Sequence, residues 1–482
     1  MYDVIVIGGG PAGVTAALRA RELGASVALI ERSRLGGTCT NDGCAPTRVL
    51  ARTARLMRDA HQFREYGLAG EHPRVDFSGL QARVRETIEA LHDKKQLELH
   101  LERAGVETFL NVGDARFIDE HTVVLPDDRR LLGRSFVLAA GGRARELSFP
   151  GSEYALSHSD IWTMESLPSS IAIVGGSATG CQIGSIFDEL GSTVTILERG
   201  NQLLGREDQL LASTIDEAFR RRGISVVFGV QELRQITNNM GSLEISYTVN
   251  GGEHQLSVDA VMLAAGWPSN ADRLNVAAAN VKTDRGYIVV DDYLRTSAPH
   301  IFAAGDINGR MMLVQSASYE ARIAAENAVL GVGQRYLHHI VPHGGFTDPE
   351  YASVGLTEQE ARDVEHDCLV SVVPYTDLDR AVIDRRTEGF CKLIVSQESH
   401  RILGAHIVGE QALEAIQLVA AGMASDMWVE QLAELELAYP TYTAIVGLAA
   451  RQLVAALGVM PMAATWQALG TPYLAEWERS EV

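Results

Sequence analysis

YDVIVIGGGPAG, residues 2–13, is the stretch that decides the fold. Its first six residues are an apolar run of strand length, and a glycine-rich turn then leads into a helix-like segment, Val14 to Leu23. A second strand, Ser26 to Ile30, ends at Glu31. This order predicts a dinucleotide-binding unit, because N–H groups at the helix N-terminus can hold a pyrophosphate while the acid binds a ribose hydroxyl.

A second copy of the same unit lies between Ser170 and Glu198. The strand IAIVGG is followed by a turn from Gly175 to Gly180, a helix to Leu190 and a strand that ends before Glu198. Ser177 replaces the middle glycine, at the point where the backbone should approach phosphate closely. Two units predict two bound nucleotides, and a decayed structural copy is the alternative for the second.

The remaining segments predict an α/β protein of several domains. At 482 residues the chain is too long for a single core. A polar helix is expected from Ser78 to Arg103, and the segment from about Gly345 to Leu457 alternates strands with helices, as in a separate α+β domain.

Composition and charge narrow the class of function. The formal net charge of -20 would repel nucleic acid and anionic membranes. No apolar run approaches the ~20 residues of a membrane-spanning helix, so we expect no membrane span. Five cysteines do not make a secreted disulfide framework, and the first strand leaves no room for a signal peptide, so we expect a cytoplasmic protein.

The segment GGTCTNDGCAPTR, residues 36–48, is the most informative one for chemistry. Cys39 and Cys44 can form a disulfide if the backbone bends, which Gly43 allows. Pro46 suits the first turn of a following helix, which would put Cys44 near a helix N-terminus that favours a thiolate. In a reducing compartment such a pair indicates catalysis. Structural burial is one alternative, and zinc would need further ligands, so we expect no resident metal.

These segments together resemble the flavoprotein disulfide reductases, the family of dihydrolipoyl dehydrogenase, glutathione reductase and mercuric reductase. The supporting motifs, besides the two glycine turns and the cysteine segment, are VMLAAGWPSN, TSAPHIFAAGDIN and FTDPEYASVGLTEQEA. The resemblance implies two dinucleotide-binding Rossmann-like domains and a C-terminal α+β dimerisation domain. The implied boundaries are 1–145 and 266–340 for the FAD-binding domain, 146–265 for the NAD(P)-binding domain and 341–482 for the dimerisation domain with its tail.

The resemblance also assigns residues to cofactors and partners. It implies a homodimer in which Cys44 lies against the flavin and Cys39 is the interchange thiol that meets the acceptor. The implied FAD residues are Gly8, Gly10, Gly13, Glu31, Gly37, Thr38, Gly141, Gly305 and Asp306. The implied NAD(P) residues are Gly175, Gly180, Gln182, Glu198 and Gly266. Glu198 favours NADH because an acid repels a 2′-phosphate, while Arg199 beside it leaves NADPH open.

The chain departs from the family where a proton is usually handled. Relatives that reduce dithiol substrates carry a His-Pro followed four residues later by Glu, whereas this chain has Tyr439 and Ala444 at the histidine and glutamate positions. A phenol with a pKa near 10 is a poor base at neutral pH. This favours an acceptor that needs no proton shuttle, as in the mercuric reductases. Unlike those enzymes, the chain shows no extra N-terminal metal-binding domain and no paired cysteines in its tail, Met460 to Val482.

A second departure lies beside the expected flavin. Arg48 and Gln182 occupy the positions of a Lys–Glu ion pair. Losing the acid leaves the positive charge less compensated, which we expect to raise the flavin potential.

Three functions remain open at this stage. The first is an NAD(P)H-dependent FAD enzyme that passes electrons through Cys39 and Cys44 to a disulfide, a soft metal ion or a related acceptor. The second is a quinone reductase or diaphorase whose flavin reduces the acceptor directly. The third is a non-catalytic redox sensor or complex subunit that binds a partner through its acidic surface and the tail residues Trp466 and Trp477.

Several other residues carry no assigned role. Cys181, Cys368 and Cys391 are expected to be buried, inert thiols. Tyr439 and Tyr442 either face the dithiol or pack at an interface. Four histidines show no partner by spacing, namely His158, His338, His339 and His343.

Overall fold

The computed structural model describes residues 1–336, 340–365 and 367–459. The strands, numbered along the chain, are β1 (Tyr2–Ile7), β2 (Val27–Ile30), β3 (Glu107–Phe109), β4 (Arg116–Phe117), β5 (Thr122–Val124), β6 (Arg130–Leu138), β7 (Ser170–Val174), β8 (Thr193–Leu197), β9 (Ser225–Val227), β10 (Val230–Asn239), β11 (Ser242–Val249), β12 (Gly252–Val258), β13 (Ala260–Leu263), β14 (Thr283–Asp284), β15 (Tyr287–Ile288), β16 (Ile301–Ala303), β17 (His343–Gly345), β18 (Tyr351–Gly355), β19 (Cys368–Pro374), β20 (Phe390–Ser396) and β21 (Ile402–Val408). The α-helices are α1 (Pro11–Glu22), α2 (Gly37–Asn41), α3 (Cys44–Ala60), α4 (Phe77–Lys95), α5 (Leu97–Arg103), α6 (Ala178–Leu190), α7 (Gln209–Arg222), α8 (Val314–Leu330), α9 (Glu358–Val364), α10 (Asp379–Ile383), α11 (Ala412–Ala424), α12 (Val429–Ala433) and α13 (Ala444–Leu457).

These elements fall into two units. The first joins Met1–Pro168 with 260–336, and the second joins Ser169–Asp259 with 340–459. The tail from Met460 onward, with Trp466 and Trp477, and the pair His338 and His339 lie outside the described residues.

A parallel sheet forms the centre of the first unit. Its strands run in the order β3-β2-β1-β6-β16, and every neighbouring pair is parallel. The first half of β6 also pairs with β5 in an antiparallel arrangement, and β5 pairs with β4. Strands buried on both faces are typical of doubly wound α/β folds, and β1 and β2 read as continuous apolar runs for that reason.

Helices α1 and α8 cover one face of this sheet and pack against each other through alanines. Ala16, Ala17 and Ala20 of α1 share a buried cluster with Ala321 and Ala324 of α8. Small side chains let the two helix axes approach closely, and this packing holds the N-terminus of α1 at the carboxyl edge of β1.

The second unit contains three sheets. Strands β7, β8 and β9 are parallel, and β10, β11 and β12 form an antiparallel meander. The C-terminal sheet is antiparallel throughout, in the order β17-β18-β21-β20-β19. Helices α11 and α13 cover this sheet with residues such as Ile416, Val419 and Leu453.

A buried ion pair joins the C-terminal sheet to the start of α7 within this unit. The Lys392 ammonium lies 2.9 Å from each carboxylate oxygen of Asp208, and both side chains are almost fully buried. Glu358 adds a second contact to Lys392, at 2.7 Å. Because a buried charge is tolerated only when it is paired, these contacts fix how the segment before α7 meets strand β20.

The predicted helix from Ser78 to Arg103 is divided in the structure. Helix α4 ends at Lys95, and Gln96 adopts a left-handed conformation with φ 45° before α5 begins. The polar pattern continues across this break, so periodicity alone does not reveal it. The break places Lys95 in the last turn of α4, which matters for the site below.

Candidate functional site

The first glycine turn is held by Glu31. The Gly9 N–H donates to one Glu31 oxygen at 2.6 Å, and the Ser33 N–H donates to the other at 2.8 Å. Glu31 is only 6 % exposed. A carboxylate has about four acceptor positions, so Glu31 can hold the turn and still accept from a ribose hydroxyl.

The close approach of α1 to the turn explains why its last glycine, Gly13, has no side chain. A Cβ on Gly13 would lie 1.7 Å from the Gly8 carbonyl oxygen, so any side chain would push α1 off β1. Gly37, at the start of α2, would meet the Cα of Gly10 at 2.8 Å. The two glycine segments therefore lie side by side with no side chain between them, so a pyrophosphate could approach the backbone closely there. The residues present fit a dinucleotide such as FAD.

The Gly305-Asp306 segment follows β16 in the same unit. The Gly305 N–H donates to Glu320 at 2.7 Å, and the Asn308 side chain donates to the same oxygen at 2.8 Å. Burial raises the pKa of Glu320 to about 7. Burial also raises the pKa of Asp306, although the Trp267 indole N–H donates to it at 2.8 Å and opposes this shift. The sequence predicted Asp306 but not Trp267 or Glu320. Trp267 lies 39 residues from Asp306 in sequence, and Glu320 lies 12 to 15 residues from Asn308 and Gly305.

Three more of the residues that were predicted to bind a cofactor belong to the first unit. Thr38 is in α2, Gly141 follows β6 with φ +65°, and Gly266 follows β13 with φ +128°. Positive φ at the two glycines is the reason why larger residues would be strained there.

The redox segment places both cysteines at the junction of two helices. Cys39 lies in α2 and Cys44 is the first residue of α3, with Pro46 in its first turn. Gly43 has a negative φ of -122°, but a Cβ there would lie 2.9 Å from the Thr38 side chain. Glycine is therefore required by close approach rather than by a left-handed backbone.

The two thiols are hydrogen-bonded to each other. The Cys44 thiol donates to the Cys39 sulfur, and this bond lowers the pKa of Cys39 to about 7, with Lys95 acting in the same direction. Burial and Asp306 oppose that shift. The same hydrogen bond raises the pKa of Cys44, which is an exposed residue. Cys44 does begin α3, as predicted, and the thiolate that a helix N-terminus favours there stays a prediction.

The positive charge of Lys95 contributes to the lowered pKa of Cys39. The Lys95 ammonium donates to the hydroxyl of Thr40 at 2.7 Å, and Thr40 is 1 % exposed. His92, one turn earlier on α4, lies 2.8 Å from the Asn41 side chain. Helix α4 therefore contacts α2 at Thr40 and Asn41, the two residues that follow Cys39. The sequence gives no sign of this contact, because the two helices are about 55 residues apart.

The second glycine turn makes the same kinds of contact as the first. Gly176 N–H donates to Glu198 at 2.5 Å, and Gly200 N–H donates to its other oxygen at 2.5 Å. A Cβ on Gly180 would lie 1.8 Å from the Gly175 carbonyl oxygen. Ser177 has φ -81° and ψ -174°, nearly the backbone of Gly10 at -75° and -172°. The serine therefore leaves the turn undistorted, which argues against a decayed copy.

The remaining predicted site residues lie further along the chain. Arg48 is exposed on α3, one turn after Cys44. The Gln182 amide donates to the Ala178 carbonyl at 3.1 Å and accepts from the Phe346 N–H at 3.2 Å. Arg199 is exposed directly after Glu198.

The two tyrosines near the Tyr-Pro motif have different environments. Tyr439 is 53 % exposed, and its hydroxyl donates to Asp379 at 2.6 Å. Tyr442 is 3 % exposed, its ring stacks on Tyr375, and its hydroxyl donates to Asp384 at 2.9 Å. Burial, reinforced by Asp384, raises the pKa of Tyr442. Tyr442 is thus a core residue of its own unit, whereas Tyr439 presents its ring to solvent.

Two histidines without an expected role have partners in the structure. His343 lies 3.2 Å from Glu207, and its pKa is raised even though burial opposes this. His158 lies beside Ser159 and Asp42. The other three cysteines, Cys181, Cys368 and Cys391, are buried, as predicted.

No helix among the described residues is both long enough and apolar enough to cross a membrane. Within the same residues, no cluster of three or more His, Cys, Asp or Glu side chains is arranged to hold a metal ion.

Comparison with known proteins assigns the chain to a family. The family model for pyridine nucleotide-disulphide oxidoreductases matches residues 2–321, and the model for the dimerisation domain of these enzymes matches residues 341–450. A mercuric reductase of Staphylococcus aureus is 32 % identical over 438 residues, which are 90 % of this chain and 79 % of the relative. A dihydrolipoyl dehydrogenase of Geobacillus stearothermophilus is 31 % identical over 98 % of this chain and 97 % of the relative.

Solved structures agree with this assignment. The HOCl-induced flavoprotein disulfide reductase RclA from Escherichia coli has a TM-score of 0.82 and 26 % identity, covering 93 % of this chain and 99 % of that chain. A Cu(II) complex of the same reductase has a TM-score of 0.83 and 27 % identity, covering 94 % and 99 %. The predicted fold class, family and cofactor types are therefore confirmed. The chain belongs to the pyridine nucleotide-disulphide oxidoreductases and is an FAD-dependent NAD(P)H disulfide oxidoreductase with a C-terminal dimerisation domain.

Proposed function

We propose that this chain, as a homodimer, oxidises NADH and passes the electrons through FAD and the Cys39–Cys44 pair to a soft metal cation. When bound, FAD accepts a hydride from the nicotinamide and delivers two electrons to the disulfide. The observation that carries the proposal is the hydrogen-bonded thiol pair, in which the pKa of Cys39 is lowered to about 7. A group with that pKa is a thiolate in about half of the molecules at neutral pH, and the thiolate is the reactive form.

Residues of the first unit would hold FAD. The Gly8 to Gly13 turn and the Gly37 segment would bind the pyrophosphate with main-chain N–H groups, and Glu31 would accept from the adenosine ribose. Asp306, oriented by the Trp267 indole, would bind the region between the pyrophosphate and the flavin ring. These roles account for why the segments are glycine-rich and why the Glu31 carboxylate is buried beside them.

The environment of the tyrosines favours a soft metal ion as the acceptor. Tyr439 stands where relatives specific for dithiol substrates carry a histidine, and its hydroxyl is committed to Asp379. The pKa of Tyr442 is raised, so it is also a poor base at neutral pH. A soft cation binds thiolates and takes up electrons without a proton from the protein. One similar protein is named a mercuric reductase, and one solved structure of RclA is a Cu(II) complex.

Replacement of Cys39 tests the electron route. We expect Cys39→Ser to lose at least ~100-fold in NADH-dependent reduction of Cu(II) or Hg(II), because no dithiol remains to receive electrons from the flavin. Its FAD content and the bleaching of the flavin by NADH should match the wild type. The measurement is steady-state NADH oxidation with each metal ion, a small disulfide and a quinone as acceptors, and Cys391→Ser, a buried thiol in the C-terminal sheet, is the control.

Each outcome of that screen separates the alternatives. If a quinone is the best acceptor of the wild type and Cys39→Ser keeps full activity with it, the chain is a direct flavin reductase. A disulfide as the best acceptor of the wild type would contradict the metal assignment. If NADH fails to bleach the flavin under anaerobic conditions, a sensor or structural role would replace the catalytic one.

The choice of NADH follows from Glu198. One of its oxygens accepts from Gly176 N–H in the second glycine turn and the other from Gly200 N–H. A carboxylate held in this way would repel a 2′-phosphate. We expect kcat/KM to favour NADH in the wild type, and Glu198→Gln to reduce that preference about tenfold, since it removes the charge and keeps an acceptor. Arg199→Gln is the matched control and should keep the wild-type preference. A wild type that prefers NADPH would refute this assignment.

The charge of Lys95 should tune the reactivity of Cys39. Because a nearby cation favours the thiolate, we expect Lys95→Met to raise the pKa of Cys39 above about 7 and to slow its alkylation several-fold at pH 7. Lys95→Arg should retain most of the effect, and Lys94→Met, at the exposed neighbouring position, should change nothing. The measurement is the pH dependence of iodoacetamide labelling of the reduced protein. An unchanged profile in Lys95→Met would show that Lys95 has no such role.

A further inference from the structure

Asp42, which lies between the two redox cysteines in sequence, is held by a separate part of the chain. The Asp42 carboxylate accepts a hydrogen bond from the Ser159 hydroxyl at 2.6 Å, and its main-chain carbonyl accepts one from the Trp162 indole N–H at 2.7 Å. Ser159 and Trp162 belong to one 3-10 turn, His158–Thr163, which we call the clamp turn. Its two bonds reach Asp42 from a segment 117 and 120 residues away in sequence.

The clamp turn is itself braced, so that its two donors are fixed in place. The Ser157 N–H and hydroxyl both bond to Asp160 at 2.6 Å, closing a capping box at its start. The Gln81 side chain of α4, which is buried, donates to the Ile161 carbonyl at 2.7 Å. A donor on a rigid segment restricts its acceptor more than one on a mobile loop does, because less freedom remains in the pair.

His158 extends the clamp turn towards the flavin segment. Its Nε2 atom lies 3.2 Å from the Ser159 hydroxyl and 3.7 Å from the Asp42 carboxylate. Its ring packs edge-on against Trp267, at 5.1 Å between centroids, and Trp267 donates to Asp306. The turn between the cysteines is thereby connected, through neighbouring contacts, to the segment expected to bind the flavin.

We propose that the clamp turn is a positioning element for the redox pair. Through Ser159 and Trp162 it fixes Asp42, and this keeps the sulfurs of Cys39 and Cys44 within bonding reach in both oxidation states. The inference rests on the proposed redox role of that pair. The clamp residues donate to Asp42, so they act through the turn that carries the cysteines and not as catalytic groups.

The physical effect is on the equilibrium between dithiol and disulfide. When the pair is oxidised, two S–H bonds break, one S–S bond forms, two protons go to solvent and two electrons go to the oxidant. Forming the S–S bond removes freedom from the residues between the cysteines. If Asp42 is already fixed in the dithiol form, less freedom is lost, and the disulfide is favoured.

The test is a redox titration of the holoprotein with glutathione, without NADH or an electron acceptor. Glutathione disulfide is the oxidant, and the fraction of Cys39–Cys44 disulfide is read by quenching, alkylation and mass spectrometry. We expect the equilibrium constant for oxidation to fall about fivefold in Trp162→Phe, which keeps the ring and removes the donor, and similarly in Ser159→Ala. Thr163→Val is the matched control, because its hydroxyl bonds within the same turn, to the Asp160 carbonyl, and should leave the constant unchanged.

A double-mutant cycle isolates the contact itself. Asp42→Ala should cause a shift like that of Ser159→Ala, and the double variant should cause no more than either alone, since both remove the same bond. Flavin absorbance shows that each variant is a folded holoprotein. If Trp162→Phe and Ser159→Ala stay within twofold of the wild type, or if Thr163→Val shifts as much as they do, the clamp turn has no such role. If the wild-type cysteines form no disulfide at all, the proposed redox function fails instead.

Discussion

The proposed activity of this molecule depends on the proximity of Cys39 and Cys44, whose thiols shift each other's pKa. This proximity requires the last residues of α2 and the first residue of α3 to approach closely, and Gly43 permits this because any side chain there would strike Thr38. A shared proton lowers the pKa of Cys39 and raises that of Cys44, so the pair has one reactive thiolate near neutral pH.

The surrounding structure holds that junction on two sides. Lys95 contacts Thr40 immediately after Cys39, and the clamp turn contacts Asp42 two residues before Cys44. One contact brings positive charge and the other restricts motion, so they affect different properties, the acidity of a thiol and the stability of the disulfide. Both depend on α4, which carries Lys95 in its last turn and supports the clamp turn through Gln81.

Much of this architecture is predictable from the sequence, and the reason is local. The glycine turns, their acids Glu31 and Glu198, and the cysteine segment each fit within about 30 residues, where spacing dictates geometry. The contacts of Lys95, Ser159, Trp162 and Trp267 join segments 39 to 120 residues apart through ordinary polar side chains. No spacing rule reports such contacts.

The central claim is that flavin and dithiol act in series, and an anaerobic reductive titration of the wild-type holoprotein tests it most directly. The quantity measured is the number of electron equivalents taken up per FAD before the spectrum stops changing. If the flavin and the dithiol act in series, the protein takes up four electron equivalents per FAD, two on the Cys39–Cys44 disulfide and two on the flavin. The first two equivalents should leave the flavin largely oxidised. Complete bleaching of the flavin after only two equivalents would contradict this account.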